Sequence, residues 1–419
     1  MKENQKNWLW IASVYFIQGL PNALCAALAQ IYYISQGVAL STATLITSFI
    51  YLPWALKALW APLVDMYSTK RRALILSGFF MSGVALLLGI CSFSSSWVLI
   101  SAIFFWALAF LSATYDISAD GYYILALDKK DQAFFVGIRS AFYRLSLLFV
   151  QGFLVALAGI LSIRFSSEKL AWGFVFALCA LIFLSFTLFF KVFLPRKSTD
   201  IPTRQEATSS VSGNFFKVYI DFFSSKGFVN ILIFLLFYRF AEAQLSKVAP
   251  AFLLADRADG GLGLSLTNQG FIYGTAGTIC LFLGGILGGV LISRWGLLKC
   301  LIPFALAINV PNLVYLIMAY FPTDNFALIS SLVSIEQFGY GLGFSAYMAF
   351  MLRAVQGKSK TSQYAILSSL MALSLMLGGF FTGFIQEALG YKDFFLWIML
   401  STLVSFASLV PAIKFLKTK

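Results

Sequence analysis

Residues 194–214 read LPRKSTDIPTRQEATSSVSGN, the only long polar stretch in a 419-residue chain that is 60% hydrophobic and 11% charged. Soluble domains carry about 25% charged residues, and the mean hydropathy here is +0.86. A water-soluble fold of this composition could not cover its surface with polar groups. Apolar runs of the roughly 20 residues needed to cross a bilayer recur on both sides of the polar stretch. These features predict an all-α polytopic membrane protein in which 194–214 joins two membrane-embedded halves.

Working outward from the polar stretch, the runs predict six spans before it and six after. They lie near 8–34, 42–66, 73–93, 97–127, 133–163 and 170–194, then 227–254, 265–292, 299–320, 326–354, 362–390 and 392–416. With the N-terminus inside, the cytoplasmic segments hold twenty Lys and Arg residues and the external loops four. This bias predicts that both termini are cytoplasmic. The net charge of +13 is thereby a topology signal, and no nucleic-acid partner is expected. The domains are expected at 1–194 (an N-terminal six-helix bundle), 195–226 (a cytoplasmic linker) and 227–419 (a C-terminal six-helix bundle). Two such halves have the layout of the major facilitator fold. A faint internal echo agrees, LSLLFVQGF (145–153) in the fifth span against LSLMLGGFF (373–381) in the eleventh.

The first apolar run is too long for a signal-peptide core and is read as the first span. Five cysteines are scattered singly and there is no histidine. That pattern argues against a disulfide framework, a His-based metal site and the commonest acid–base group. No metal or cofactor is expected, and an integral-membrane enzyme is disfavoured.

The charges inside the spans carry more information. A charge at the bilayer centre costs at least about 2.5–3.5 kcal/mol, so such groups face the bundle interior or a wet cavity and find partners. Here they are Lys57, Arg139, Arg144, Lys191, Arg239 and Lys247, with Asp65, Asp116, Asp120, Glu242, Glu336 and Glu387. In ATYDISADGYYILAL (113–127), Asp116 and Asp120 are four apart and share one helix face. The loop DKKD joins that span to GIRSAFYR (137–144). Counted from the loop, Asp120 and Arg139 each lie about 12 Å in, and Asp116 and Arg144 about 18–20 Å in, at 1.5 Å per residue. Matching depths predict the pairs Asp120–Arg139 and Asp116–Arg144. A purely structural ion-pair ladder is the alternative, but it is a costly way to join helices that small residues can hold. Substrate or proton handling is preferred.

In the second half, FYRFAEAQLSK (237–247) puts Arg239 and Glu242 on one face with Lys247 about one and a half turns on. SIEQFGYGLGF (334–344) places Glu336 and Gln337 in the tenth span. Glu242 and Glu336 are candidate proton carriers. The glycine runs GGILGG (284–289) and GYGLGF (339–344) lack a preceding strand and a Walker lysine, so they are read as close helix packing.

Several stretches together resemble the AmpG-type permeases of the major facilitator superfamily. They are QGLPNAL (18–24), FIYLPWALKALWAPLVDMYSTKRR (49–72), SATYDISADGYY (112–123), GIRSAFYR and TSQYAILSSLMALSLMLGGFFTG (361–383). The resemblance covers most of the chain. It implies a transporter that imports anhydromuropeptides, the cell-wall turnover products, across the bacterial inner membrane. The wider group also holds siderophore importers and acetyl-CoA transporters. By resemblance, Asp65, Arg71 and Arg72 form a cytoplasmic gating motif, and LISRWG (291–296), with Arg294 and Gly296, is its degenerate repeat. Asp116, Asp120 and Arg144 match the family's intramembrane polar signature. One departure follows the second aspartate, where the family places a basic residue and then an acid. Here Gly121, Tyr122 and Tyr123 stand instead.

No ATP-binding motif is present, so transport is expected to run on an ion gradient, with protons preferred because carboxylates are available. The expected partners are a small solute, protons and the lipid bilayer, with a monomer as the working unit. The substrate-path candidates are Lys57, Asp116, Asp120, Arg139, Arg144, Arg239, Glu242, Lys247 and Glu336.

Overall fold

A computed structural model describes residues 3–196, 200, 202, 223–224, 227–355 and 360–418, and among these the chain is helical, with no strand. Among the described residues, nine helical stretches are long and apolar enough to cross a membrane: Asn7–Ser35, Lys70–Cys91, Trp97–Ala126, Ala141–Phe165, Glu168–Phe193, Phe228–Leu254, Leu266–Trp295, Leu297–Tyr320 and Thr382–Lys417. Leu40–Phe49 and Leu52–Tyr67 supply the second span in two pieces, and Lys360–Phe380 begins the eleventh. Thr382–Lys417 is divided by a non-helical residue, Gly390 (φ 72°, ψ 170°), at the boundary expected between spans eleven and twelve. The arrangement is consistent with twelve spans. Most of the 195–226 linker lies outside the described residues.

The helices start where the sequence supplies caps. Asp128 accepts from the Asp131 amide at 2.7 Å and opens Lys129–Leu148, so DKKD is a turn that starts a helix. Thr69, Ser265 and Asn325 do the same for the third, eighth and tenth spans. Each cap satisfies one of the amides left without an intrahelical acceptor at a helix start.

The residues group into two compact units, 1–36 with 56–211 and 37–55 with 212–419. The first piece of the second span thus packs within the second unit. There the Glu387 carboxylate accepts from the Ser41 amide at 2.8 Å, at the start of Leu40–Phe49. In the first unit, the third span packs against the fourth and sixth, and the first span against the fourth and fifth. Glycine allows the third and sixth spans to close, because a Cβ on Gly89 would lie 2.9 Å from the Gly173 carbonyl oxygen.

In the second unit, the eighth and tenth spans form the most extensive helix contact. A Cβ on Gly341 would fall 2.8 Å from the Gly285 nitrogen and nearer still to the Leu281 oxygen, and Gly284 meets the Phe338 backbone in the same way. The two glycine runs are therefore helix-packing surfaces, as read from the sequence. The core beside them holds Phe234, Tyr238, Phe304, Ile308, Tyr347 and Phe350, among others.

Irregular backbone interrupts several spans, with a 3-10 turn at Val310–Asn312 in the ninth and a break at Ser408 in the twelfth. Wide turns occur at Leu24–Leu28, Phe149–Leu154 and Gly270–Gly277, in spans one, five and eight. Helices break at 50–51, 238–239 and 381, in spans two, seven and eleven. If the halves are repeats, these are three counterpart pairs, irregular in both members. The fourth and tenth spans, Trp97–Ala126 and Phe326–Ala354, are each one unbroken helix, and they carry Asp116, Asp120 and Glu336. Wide turns of this kind gather at functional sites.

Candidate functional site

In the first unit, Asp120 Oδ1 receives Arg139 Nη2 at 2.8 Å and the Tyr15 hydroxyl at 3.1 Å. The guanidinium also lies over the Tyr15 ring at 4.4 Å and the Tyr123 ring at 5.0 Å. The expected Asp120–Arg139 pair is present, and Tyr123, one of the residues at the departure from the family pattern, packs against it.

Asp116 differs from expectation. Its Oδ1 accepts from Gln18 Nε2 at 2.5 Å, and its cation is Lys57, whose Nζ lies 3.4 Å from Oδ2. The Asp116–Arg144 pair is not formed. Helix periodicity explains this: five residues at about 100° each turn Arg144 roughly 140° from Arg139, so both cannot face the fourth span. The first span packs against both the fourth and the fifth, and its Tyr15 and Gln18, three apart, face Asp120 and Asp116 in antiparallel order.

The second unit holds its charges in a drier setting. Arg239, 4% exposed, sits at the break in the seventh span (φ −104°, ψ 20°). Its Nη2 donates to the Tyr340 hydroxyl, and its guanidinium lies over the rings of Tyr340, Phe344 and Tyr347 at 5.1, 4.9 and 5.7 Å. Glu242 and Glu336 are each 1% exposed and close enough to each other to interact electrostatically, with Arg239 also acting on Glu242. Glu336 Oε2 accepts from the Tyr315 hydroxyl at 3.3 Å and from Gln337 Nε2 at 3.0 Å. The other three oxygens of the two carboxyls, Glu242 Oε1 and Oε2 and Glu336 Oε1, have no hydrogen-bond partner among the described residues.

Lys247 leaves this group. Its Nζ donates to Thr47 Oγ1 at 2.8 Å and lies 5.4 Å from the Tyr51 ring centre. The same geometry applies, since five residues separate it from Glu242 and turn it roughly 140° away.

The motif between spans two and three is tied to the end of span six. Arg71 donates through Nε to the Leu194 carbonyl at 3.0 Å and through Nη2 to the Lys191 carbonyl at 2.6 Å, closing the C-terminus of Glu168–Phe193. Asp200, 9% exposed, accepts from the amides of Lys70 at 2.7 Å and Arg71 at 2.9 Å. Tyr122 donates to the Pro195 carbonyl at 2.6 Å. Arg72 is exposed. Asp65 lies on Leu52–Tyr67, but its side chain lies outside the described residues. In the repeat motif, Arg294 is exposed in the last turn of the eighth span. Gly296 (φ 80°, ψ 152°) makes the connection to the ninth in a region open mainly to glycine.

Sequence reasoning did not single out Tyr15, Gln18, Thr47, Tyr315, Tyr340 or Asp200. Tyr15 and Gln18 had a usable signal, polar groups at i, i+3 within an apolar run. Thr47, Tyr315 and Tyr340 act from helices whose register against the charged groups no loop length reveals, and Asp200 lies outside any helix and acts on backbone amides.

Charges held within long apolar helices that expose apolar outer faces fit a polytopic membrane protein that handles polar solutes. Residues 11–379 match the Major Facilitator Superfamily, and the chain belongs to that family, one of transporters rather than enzymes. It is 26% identical over 403 residues to the protein called AmpG 4 of Rickettsia conorii, covering 92% of each chain. It is 24% identical over 393 residues to the anhydromuropeptide permease of Escherichia coli K12, covering 91% of this chain and 74% of that one. Among solved structures, a mutant of the nucleoside transporter NupG superposes with a TM-score of 0.73 at 15% identity, covering 96% of this chain and 99% of that one. The AmpG-type resemblance read from the motifs thus has its counterpart in relatives of that name.

Proposed function

We propose that the protein is a proton symporter that imports anhydromuropeptides across the bacterial inner membrane by alternating access, serving cell-wall recycling. The observation that carries the coupling is the Glu242–Glu336 pair. Two carboxyls share one dry site, and three of their four oxygens have no partner among the described residues. Groups so placed can take up and release a proton as their surroundings change, whereas a structural ion pair would have each oxygen engaged. Tyr315 and Gln337 hold one oxygen of Glu336 in place, which leaves the other to exchange.

The substrate class is supported by the name of the Escherichia coli relative and by the cations at membrane depth. Lys57, Arg139 and Arg239 suit a ligand that carries carboxylates, and the tyrosines around them suit its sugar rings. The same cations favour a second reading, a siderophore, an acetyl-CoA-like ester or another organic anion. The replacement of the family's basic–acid pair by Gly121, Tyr122 and Tyr123 points the same way. In this account Asp65, Arg71, Arg72, Arg294 and Gly296 serve conformational switching.

Uptake of labelled anhydromuropeptide into right-side-out vesicles, beside a ferric siderophore and acetyl-CoA, tests the assignment. Saturable, protonophore-sensitive uptake of the muropeptide alone is the expected result. Saturable uptake of either of the others without the muropeptide would replace the substrate.

A further inference from the structure

A groove of about 570 Å³ lies in the first unit between the third and sixth spans, at the end that the positive charge bias assigns to the cytoplasm. Among the described residues its rim carries Arg71, Arg72, Lys191 and Arg196, with Asp200 as the one acid. Both oxygens of the acid accept from the backbone amides of Lys70 and Arg71, so it forms no ion pair with the rim and offsets only one of its four positive charges. Arg71 is itself engaged, its guanidinium closing the end of the sixth span on the Lys191 and Leu194 carbonyls. That leaves Arg72, Lys191 and Arg196, all exposed, with no ion pair among the described residues.

Below this rim the wall changes character within one helical turn. Ile75, Leu76 and Phe79 line the groove on the membrane side, and Leu76 and Phe79 are 42% and 36% exposed. Three cations without an ion-pair partner among the described residues, above an apolar wall, are the complement of a molecule with an anionic head and hydrocarbon chains. A soluble anion would use the rim and leave the wall bare. A neutral lipid would use the wall and leave the cations without counter-charge.

We infer that this groove is a binding site for an anionic phospholipid of the cytoplasmic leaflet, with the phosphodiester between Arg72, Lys191 and Arg196 and an acyl chain along Ile75, Leu76 and Phe79. The lipid would sit beside the Arg71 and Asp200 contacts that tie the start of the third span to the end of the sixth. It would therefore bias whichever conformation keeps those two ends together. The inference does not depend on which solute is carried.

The test is native mass spectrometry of the full-length protein released from micelles containing phosphatidylglycerol or phosphatidylcholine. The expected result is one retained phosphatidylglycerol at concentrations where phosphatidylcholine is not retained, and no displacement by millimolar inorganic phosphate. A cation near a membrane surface changes anionic-lipid affinity by about fivefold, so Lys191→Gln with Arg196→Gln should weaken retention by roughly 30-fold. Lys191→Arg with Arg196→Lys keeps the charge and should keep the lipid, which separates lost binding from lost folding. Arg164→Gln, at the other end of the bundle, should change nothing. Equal retention of phosphatidylcholine, displacement by phosphate, or undiminished retention in the charge-removing pair would each overturn the site.

Discussion

Replacing Asp120 by Asn, alone and together with Arg139→Gln, probes the first-unit cluster most sharply. Breaking a fully buried ion pair typically costs about 3–5 kcal/mol, but the structure argues for less. The Asp120 and Arg139 side chains keep 45% and 28% of their surface exposed, so solvent or cavity water screens the charge left behind. A hydrogen bond to a charged group contributes about 1.5–3 kcal/mol, and screening of an exposed pair moves it to the lower end of that range. Arg139 also retains its contacts with Tyr15 and Tyr123, each contributing about 0.5–1 kcal/mol at an accessible site. Asp120→Asn should therefore destabilise by about 1–2 kcal/mol, Arg139→Gln by more because it also gives up both ring contacts, and the double variant by no more than Arg139→Gln alone. Equilibrium unfolding of the four proteins in mixed micelles gives the coupling energy directly. Additivity within about 0.3–0.5 kcal/mol would refute the pairing. If the double variant regains stability but not uptake, the pair also acts on solute or protons; if uptake returns, it is only a tie.

The same assay should couple Asp116→Asn to Lys57→Met and not to Arg144→Gln; coupling to Arg144 instead would overturn the observed partner. Asp200→Asn keeps the shape but not the charge at two amides of the third span, and should lower stability by about 0.5–2 kcal/mol, the range for losing a helix cap, read as a lower thermal midpoint. Gly341→Ala forces a methyl against the eighth-span backbone and should cost about 1–3 kcal/mol, whereas Gly289→Ala, with nothing within 4 Å of its Cβ, should be neutral in the same thermal assay; equal effects would mean that the helices do not meet as described.

Apolar runs were enough to read the helical architecture, because bilayer thickness and helix rise fix those lengths. The Asp120–Arg139 pair was legible for the same reason: a short loop gives both residues a common origin for depth. Depth alone does not give azimuth, which is why the expected Asp116–Arg144 pair is not formed. Arg144 is five residues from Arg139, and the helix turns it to another face. Lys57, Gln18 and Thr47 reach their partners from spans without such a shared loop, so no count along the chain could align them. Asp200 was hidden differently, since it acts on backbone amides and needs no complementary charge to announce it.

In the proposed mechanism Glu242 and Glu336 couple proton entry to solute entry. The most direct measurement is the internal pH of proteoliposomes, reported by a trapped dye, when anhydromuropeptide is added outside without an imposed gradient. The account predicts substrate-dependent acidification by the native protein. It predicts none by Glu336→Gln, although that variant should still exchange labelled substrate across the membrane. Substrate entry without acidification, or full acidification by Glu336→Gln, would contradict it.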